Sequence, residues 1–361
     1  MTAINSFPIK KFNASQKAKN WLIIILGLFT LLICSILLSI SIGYVPISIP
    51  NIIKVFLTNT LGINKLFHFQ VSTVETVLIL QVRFPRALCA ALVGAALAVS
   101  GAAYQGLFRN PMADPYTIGA SSGAALGATT AILFGFGITI LGISIMPLFA
   151  FIGCLVTVLG VYAISRVGNK VPVQTLLLSG VAVSILLSAI VNAYFSLFPE
   201  QFRQSAFWLM GSVSYAEWLD VWSVLPFIIG GSIVIYMFSR DLNILSLGES
   251  EATHLGVDLE KMKKVLIVAS AFVTAAAVSI SGLIAFVGLI IPHLTRLIFS
   301  PDHRILVPAS ALMGGTFLVL CDILARVVIS PSELPVGVIT AICGGPFFLY
   351  LMRRKKKIDV T

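Results

Sequence analysis

Long apolar runs recur along the chain, each broken from the next by glycine, proline or clustered charge. They fall at 21–43, 84–107, 114–135, 139–165, 174–198, 219–239, 262–282, 284–300, 304–327 and 335–352. A helix needs about 20 apolar residues to cross the hydrocarbon core of a bilayer, and unbroken apolarity over such lengths reads as a spanning helix rather than a strand. The pattern predicts an all-α polytopic membrane protein of about ten transmembrane helices. Residues 44–83, with Pro46, Pro50, Lys54 and Lys65, are too polar to span, and a short surface helix is predicted among them. Residues 199–218, with Pro199, Glu200, Arg203 and the group Trp208, Trp218 and Trp222, read as interfacial, because tryptophan prefers the headgroup level. The organisation expected is a short segment 1–20, a transmembrane body 21–352 and a basic tail 353–361.

Composition excludes a soluble enzyme: 58% of the 361 residues are hydrophobic, 11% are charged and the mean hydropathy is +1.01, far from the roughly 25% charged of soluble domains. The net charge of +10 would point to nucleic acid in a soluble chain; in a membrane chain it reports topology, because basic residues stay in the cytoplasm. No nucleic-acid partner is expected. With both termini cytoplasmic, in a cell (inner, cytoplasmic) membrane, 18 of the 24 Lys and Arg fall inside and six outside, namely Lys54, Lys65, Arg83, Arg86, Arg203 and Arg326. Arg83, Arg86 and Arg326 sit at span ends against this rule. The first apolar run, Trp21 to Ile42, exceeds the 7–15 residues of a signal-peptide core and reads as a retained span.

Ser100-Gly101 followed by Pro111 recurs as Ser281-Gly282 followed by Pro292, with five predicted spans between the copies. An odd number of spans makes the copies point in opposite directions, so an inverted internal repeat of the transporter kind is expected. Five scattered cysteines and four histidines form no ligand-spaced set, so no metal site or cofactor is expected. No Gly-Lys dipeptide occurs, which removes the GxxxxGK[ST] phosphate cradle and leaves any ATP use to a partner. Span interiors nearly free of ionisable residues argue against a proton-relay secondary carrier.

Smaller patterns carry finer expectations. Gly119, Gly123 and Gly127 form a tandem GxxxG ridge suited to close helix packing. Gly180, Ser184, Ser188, Asn192 and Ser196 repeat every four residues along the fifth span, a face that fits either helix contact or a weakly polar pathway wall. In the loop 241–260, Leu247-Gly248-Glu249-Ser250-Glu251-Ala252-Thr253-His254-Leu255-Gly256 reads as a glycine-bracketed helix of about two turns. Its acidic start suits the helix dipole, and Ala252 and Leu255 are expected to share an apolar side. Asp322 and Arg326, four residues apart on one helix, can pair.

The stretch Arg83-Phe84-Pro85-Arg86, with Gly94, Ser100-Gly101, Gln105, Arg109-Asn110-Pro111-Met112-Ala113-Asp114-Pro115 and Gly119, resembles the first signature of the FecCD-type permeases. Phe286-Val287-Gly288-Leu289-Ile290-Ile291-Pro292-His293, Arg296 and Ser330-Pro331-Ser332-Glu333-Leu334-Pro335-Val336-Gly337 resemble the second. These are the membrane subunits of ABC importers for ferric siderophores, haem and cobalamin. The resemblance implies a ten-span protomer that pairs with a second permease protomer as a homo- or heterodimer. It also implies two cytoplasmic ATP-binding subunits and an extracytoplasmic solute-binding protein, so that the chain is a translocation subunit rather than an enzyme. It further implies docking of the binding protein at Arg83, Arg86 and Arg326, and ATPase coupling through Leu247, Gly248, Glu249, Ala252, Leu255 and Gly256. The gate would lie at Asn110 and Met112 and at Pro172 and Val173. Met112 stands where the family usually has Leu, and Val171-Pro172-Val173-Gln174 departs from its small polar residues. An iron–siderophore chelate is the expected solute, with cobalamin or haem as alternatives. A permease for free metal ions would show clustered His or acidic residues in its spans, an intramembrane enzyme a nucleophile and base, and a passive channel would need no bracketed loop helix.

Overall fold

The computed structural model describes residues 14–59, 72–135, 139–140 and 143–358; Lys10, Lys11 and Lys65 lie outside the described residues. Helix α1 (Ala14–Ser41) and a short α2 (Ile49–Asn59) come first. A continuous rod follows over Thr73–Leu107, made of α3 (Thr73–Val77), a π-helical turn (Leu78–Arg83) and α4 (Phe84–Leu107). A 3₁₀ turn (Pro115–Ile118) leads into α5 (Ala120–Leu133), and a two-residue hairpin, β1 (Thr139–Ile140) against β2 (Ile143–Ser144), leads into α6 (Ile145–Ile164). Then come α7 (Val173–Leu197), α8 (Pro199–Leu209), α9 (Trp218–Met237), α10 (Ser239–Leu245) and α11 (Glu249–His254). The chain closes with α12 (Leu259–Ser281), α13 (Val287–Ile298), α14 (His303–Val327) and α15 (Val336–Ile358).

Each of the ten apolar runs holds a helix, and among the described residues seven helices are long and apolar enough to cross a bilayer. Several boundaries differ from the sequence pattern, α5 and α6 each beginning six residues inside their runs, and two of the differences have a visible cause. The second span starts eleven residues before Phe84, because Arg83 continues the helix while its guanidinium finds acceptors on α1, described below. The run 284–300 yields only the 12-residue α13, about 18 Å long at 1.5 Å per residue, against a core of about 30 Å. Gly282 (φ 65°) ends α12 and Phe286 (φ 71°) delays the next helix. The irregular backbone between them lies inside the protein, where Ser212 N–H donates to the Ser281 carbonyl and Tyr116 Oη to the Ile284 carbonyl. Non-helical backbone at membrane depth is tolerated where protein covers it.

Helices α4, α12 and α14 are mostly buried and form the centre, while α1, α6, α7 and α9 are mostly exposed on their outer faces. The centre packs closely because its facing residues are small. Helices α4 and α14 run antiparallel, with Arg86 beside Asp322, Gly94 against Gly314 and Gly106 against His303. A methyl group built on Gly94 would run into the Gly314 carbonyl oxygen. Gly123 and Gly127 do the same for α5 on α6, meeting the Gly153 and Phe149 carbonyls, so that part of the GxxxG ridge is a packing seam. Gly119 instead precedes α5 at φ 89°, a left-handed position that L side chains avoid.

The second and seventh predicted spans, α4 and α12, run in opposite directions. Helix α4 starts at the end of the bundle that holds Arg86, Asp322 and Glu333, and α12 finishes there. The short Ser-Gly…Pro pattern does not mark equivalent positions, however. Gly101 packs mid-helix on Gly288 and Pro111 lies in a loop, whereas Gly282 caps a helix and Pro292 lies inside one.

Close approach at Gly94 predicts that Gly94→Ala destabilises the purified protein by about 1–3 kcal/mol through overpacking. Gly160→Ala, at a helical site with open space around it, should leave the melting temperature unchanged or raise it slightly. Thermal unfolding in detergent checks both.

Candidate functional site

Sequence-selected residues collect at the two ends of the bundle and along α7. At one end, Arg83, Arg86 and Arg326 come together, but they turn inward. Each is only 7–8% exposed. Arg86 holds Asp322 through Nε and Nη2, at 3.1 and 2.8 Å, and Glu333 through Nη1 at 2.9 Å. Arg326 reaches Asp322 at 3.3 Å and donates to Ser39 Oγ at 2.6 Å and to the Ser39 and Ile42 carbonyls. Arg83 donates to the carbonyls of Ile40 (2.7 Å), Ser41 and Val45 (2.6 Å). These acceptors include the last-turn carbonyls of α1, which have no partners within their own helix and lie at the negative end of its dipole. At this end of the bundle each guanidinium folds onto acceptors supplied chiefly by α1 and α14. Three cations against two carboxylates leave the cluster with a residual positive charge, and only Glu333 is substantially exposed.

Along α7 the four-residue repeat divides. Gly180 packs on the backbone of Thr117 and Ile118, and Ser184 accepts a hydrogen bond from Ser122 Oγ at 3.3 Å, so these two belong to the contact with the 3₁₀ turn and α5. Ser188, Asn192 and Ser196 are exposed, on a helix that is otherwise lined outward by Leu178, Val181, Ile185 and Leu186.

At the opposite end, α11 is one and a half turns long, between Gly248 (φ 143°) and Gly256 (φ 84°). Ala252 is fully buried, while Leu247 and Leu255 are 65% and 61% exposed. Ala252 and Leu255 therefore do not share a face: three residues apart on so short a helix, Ala252 points at the protein and the two leucines at its corners point away. Glu249 forms an ion pair with Lys263 at 3.2 Å, Lys263 also meets Glu260 at 3.5 Å, and Glu260 accepts from the Val171 N–H at 3.1 Å. This chain ties α11, through the first turns of α12, to the residue before Pro172 and Val173, which open α7. Lys263 is 5% exposed. Sequence reasoning missed this link, since its partners are 3, 14 and 89 residues apart; the three lysines in the first turns of α12, where the helix dipole disfavours them, were the available signal.

Asn110 and Met112 sit at this same end. The Asn110 side chain accepts from the Met112 N–H at 2.9 Å, forming a compact turn after α4. The 3₁₀ turn that follows packs against α7 at Gly180, about two turns beyond Val173. Gln105 donates to the Gly288 and Leu289 carbonyls and accepts from Arg296 at 3.1 Å, locking α13 to α4. Asp302 receives Lys17 at 3.1 Å and Asn243 at 2.7 Å. Burial alone would raise its pKa, but the Arg304 N–H, Asn243 and Lys17 hold it below the usual carboxylate range. Among the described residues no group of three or more His, Cys, Asp and Glu could hold a metal.

A helical body with seven long apolar helices, irregular backbone buried at membrane depth and charged clusters confined to its two ends is a polytopic membrane transport protein. The chain belongs to the FecCD transport family, whose model matches residues 31–354. It is 46% identical over 288 residues to the cobalamin import system permease protein BtuC of Halobacterium salinarum, covering 80% of this chain and 76% of that one. Identity to the hemin transport system permease protein HmuU of Yersinia pestis is 41% over 280 residues, covering 77% and 84%. A solved structure of an ABC transporter in an inward-facing conformation matches with a TM-score of 0.79 and 34% identity over 92% of this chain and 99% of that one. The protein is thus a permease of the ABC-importer kind, a translocation subunit of a family that works with ATP-binding and substrate-binding partners.

The division of α7 predicts the outcome of thiol labelling. In a cysteine-free background, Ser188→Cys and Asn192→Cys should react with a water-soluble maleimide, at rates that change with nucleotide in the assembled importer. Ser184→Cys, held against Ser122, should react at least ten times more slowly. Equal reactivity at all three positions would show that Ser184 is not held in the helix contact.

Proposed function

We propose that this chain carries a preformed metal chelate of the iron–siderophore type across the cell membrane, driven by ATP hydrolysed in two cytoplasmic subunits bound at α11. The observation that carries this reading is the ionic chain Glu249–Lys263–Glu260 to the Val171 N–H. It runs from a helix with two exposed leucines, the kind of apolar surface a partner covers, to the mouth of the helix with the weakly polar outward face. A shift of α11 would pull on the start of α7, beside Pro172 and Val173, while Asn110 and Met112 would follow through the 3₁₀ turn packed at Gly180. Lys263 is buried while its two carboxylate partners reach solvent, so losing either partner leaves a buried ammonium less compensated.

On this reading the docked surface of α11 is Leu247 and Leu255, with Gly248 and Gly256 setting its corners and Glu249 and Ala252 facing the protein. Two protomers pair across the exposed faces that include α7, with Ser188 and Asn192 toward the pathway. Uncharged hydroxyl and amide groups suit a bulky solute whose metal is already wrapped, because they offer no strong ligand to hold it. Cobalamin is a second reading, favoured by the 46% identity to a cobalamin import permease. The arginine end would be extracytoplasmic, both termini cytoplasmic, and an acidic solute-binding protein would meet the residual positive charge of Arg83, Arg86 and Arg326 beside Glu333. Such charges chiefly steer encounter and fix register, so docking would weaken as salt rises.

Reconstitution with the ATP-binding and solute-binding partners in liposomes tests the proposal. Uptake of a ferric siderophore above that of cobalamin and haem is expected; cobalamin uptake alone would move the assignment to the second reading. In the same assay Lys263→Gln should keep the ATPase bound and hydrolysing while lowering uptake at least tenfold. Leu247→Asp with Leu255→Asp should lose the ATPase altogether. Normal coupled uptake by Lys263→Gln would remove the ionic link from the mechanism.

A further inference from the structure

A groove between α9 and α12 plays no part in this account. It encloses about 580 Å³ and is lined on the α9 side by Pro226, Phe227, Gly231 and Val234, a size within the roughly 300–1,000 Å³ of typical ligand pockets. The α12 side contributes Val265, Val268, Ala269 and Phe272, with Lys261 and Lys264 at the end nearest α11. At its far end the Phe227 and Phe272 rings stack at 6.2 Å, with Phe151 of α6 against Phe227 at 5.1 Å. The walls are otherwise apolar, and both helices are long enough to span a bilayer. From Lys261 to Phe272 the helix rises about 16 Å, close to half the roughly 30 Å hydrocarbon thickness, which is the depth of one leaflet.

Lys261, Lys263 and Lys264 crowd the first turns of α12, the positive end of its dipole. Lys263 is neutralised by Glu249 and Glu260. Lys261 and Lys264 are exposed and, among the described residues, meet no carboxylate; Asp258 is engaged with the Lys261 backbone N–H. Two unpaired ammonium groups, a helix N-terminus and an apolar slot one leaflet deep form a continuous surface with an anionic head and a hydrocarbon tail as its complement.

We infer that this groove binds an anionic phospholipid, its phosphate on Lys261 and Lys264 and one acyl chain along Val265, Val268 and Ala269 to the aromatic end. This goes beyond the transport reading and does not depend on which solute crosses. The site adjoins Lys263, so an occupied groove would steady the first turns of α12 on which the ionic link runs.

The test is native mass spectrometry of the full-length purified chain with phosphatidylglycerol or phosphatidylcholine of identical chains. Each cation near an anionic lipid contributes about 1 kcal/mol, so the two lysines should give phosphatidylglycerol a preference of roughly 30-fold. Lys261→Gln with Lys264→Gln should erase the preference while retaining lipid, and Val268→Phe, which fills the slot, should lose bound lipid of both kinds. Glycerol phosphate, the headgroup without a chain, should fail to compete. Equal binding of the two lipids by the unmodified protein would overturn the inference. So would an unchanged preference in the double Gln variant, or loss of ATP-binding subunits from that variant with no change in lipid, which would assign the lysines to the protein interface.

Discussion

The burial of three guanidinium groups at one end of the bundle is the constraint around which that end is built. Charges at the edge of a hydrocarbon layer are costly unless each donor is met, and here the acceptors come from three separate parts of the chain. Asp322 sits between Arg86 and Arg326, Glu333 closes over Arg86, and the final turn of α1 gives its unused carbonyls to Arg83 and Arg326. One cluster thus fixes the start of α4, the end of α14, the end of α1 and the loop before α15. The rod Thr73–Leu107 passes through Arg83 with that guanidinium met by the end of α1.

From that anchored end the centre of the protein carries geometry to the other. Helices α4 and α14 approach backbone to backbone at Gly94 and Gly314, and α13 is pinned to α4 by Gln105. Small residues allow this closeness, and dispersion across the contact replaces the hydrophobic drive that lipid cannot supply. At the opposite end α11 is held by Ala252 inside and by Glu249 on Lys263, and α7 begins beside Glu260. On the proposed coupling, a shift of α11 would reach helix α7, which is largely exposed on the protomer.

Much of this was legible in the residues themselves. Apolar run length located every long helix, and the charge rule singled out Arg83, Arg86 and Arg326 as the basic residues it could not place. The direction in which those side chains point was not legible, because Arg86 depends on a carboxylate 236 positions away and Arg83 on carbonyls about 40 away. Only the pair Asp322 and Arg326, one helical turn apart, carried a local signal. Apolarity also overestimated α13, since composition does not report that Phe286 adopts a positive φ and spends part of the run in a turn. At α11, spacing on a long helix would put Ala252 and Leu255 together, but six residues bracketed by glycines leave the ends free to turn outward. On α7 the small polar repeat was ambiguous between contact and pathway, and it is divided: the chain's own α5 covers Ser184 and leaves Ser188 and Asn192 open.

The dependence of the fold on the arginine cluster is tested most directly by a double-mutant cycle on Arg86 and Asp322. Thermal or denaturant stability would be measured for Arg86→Gln, Asp322→Asn and the double variant. Removing one partner of a buried pair costs about 3–5 kcal/mol, whereas removing both leaves no orphaned charge between them. The account predicts that the double variant costs less than the sum of the two single ones by at least about 2 kcal/mol, with Arg326 and Glu333 still each losing a partner in it. Costs that add within about 0.5 kcal/mol, the behaviour of independent sites, would show that the two residues do not share a buried contact and would contradict the account.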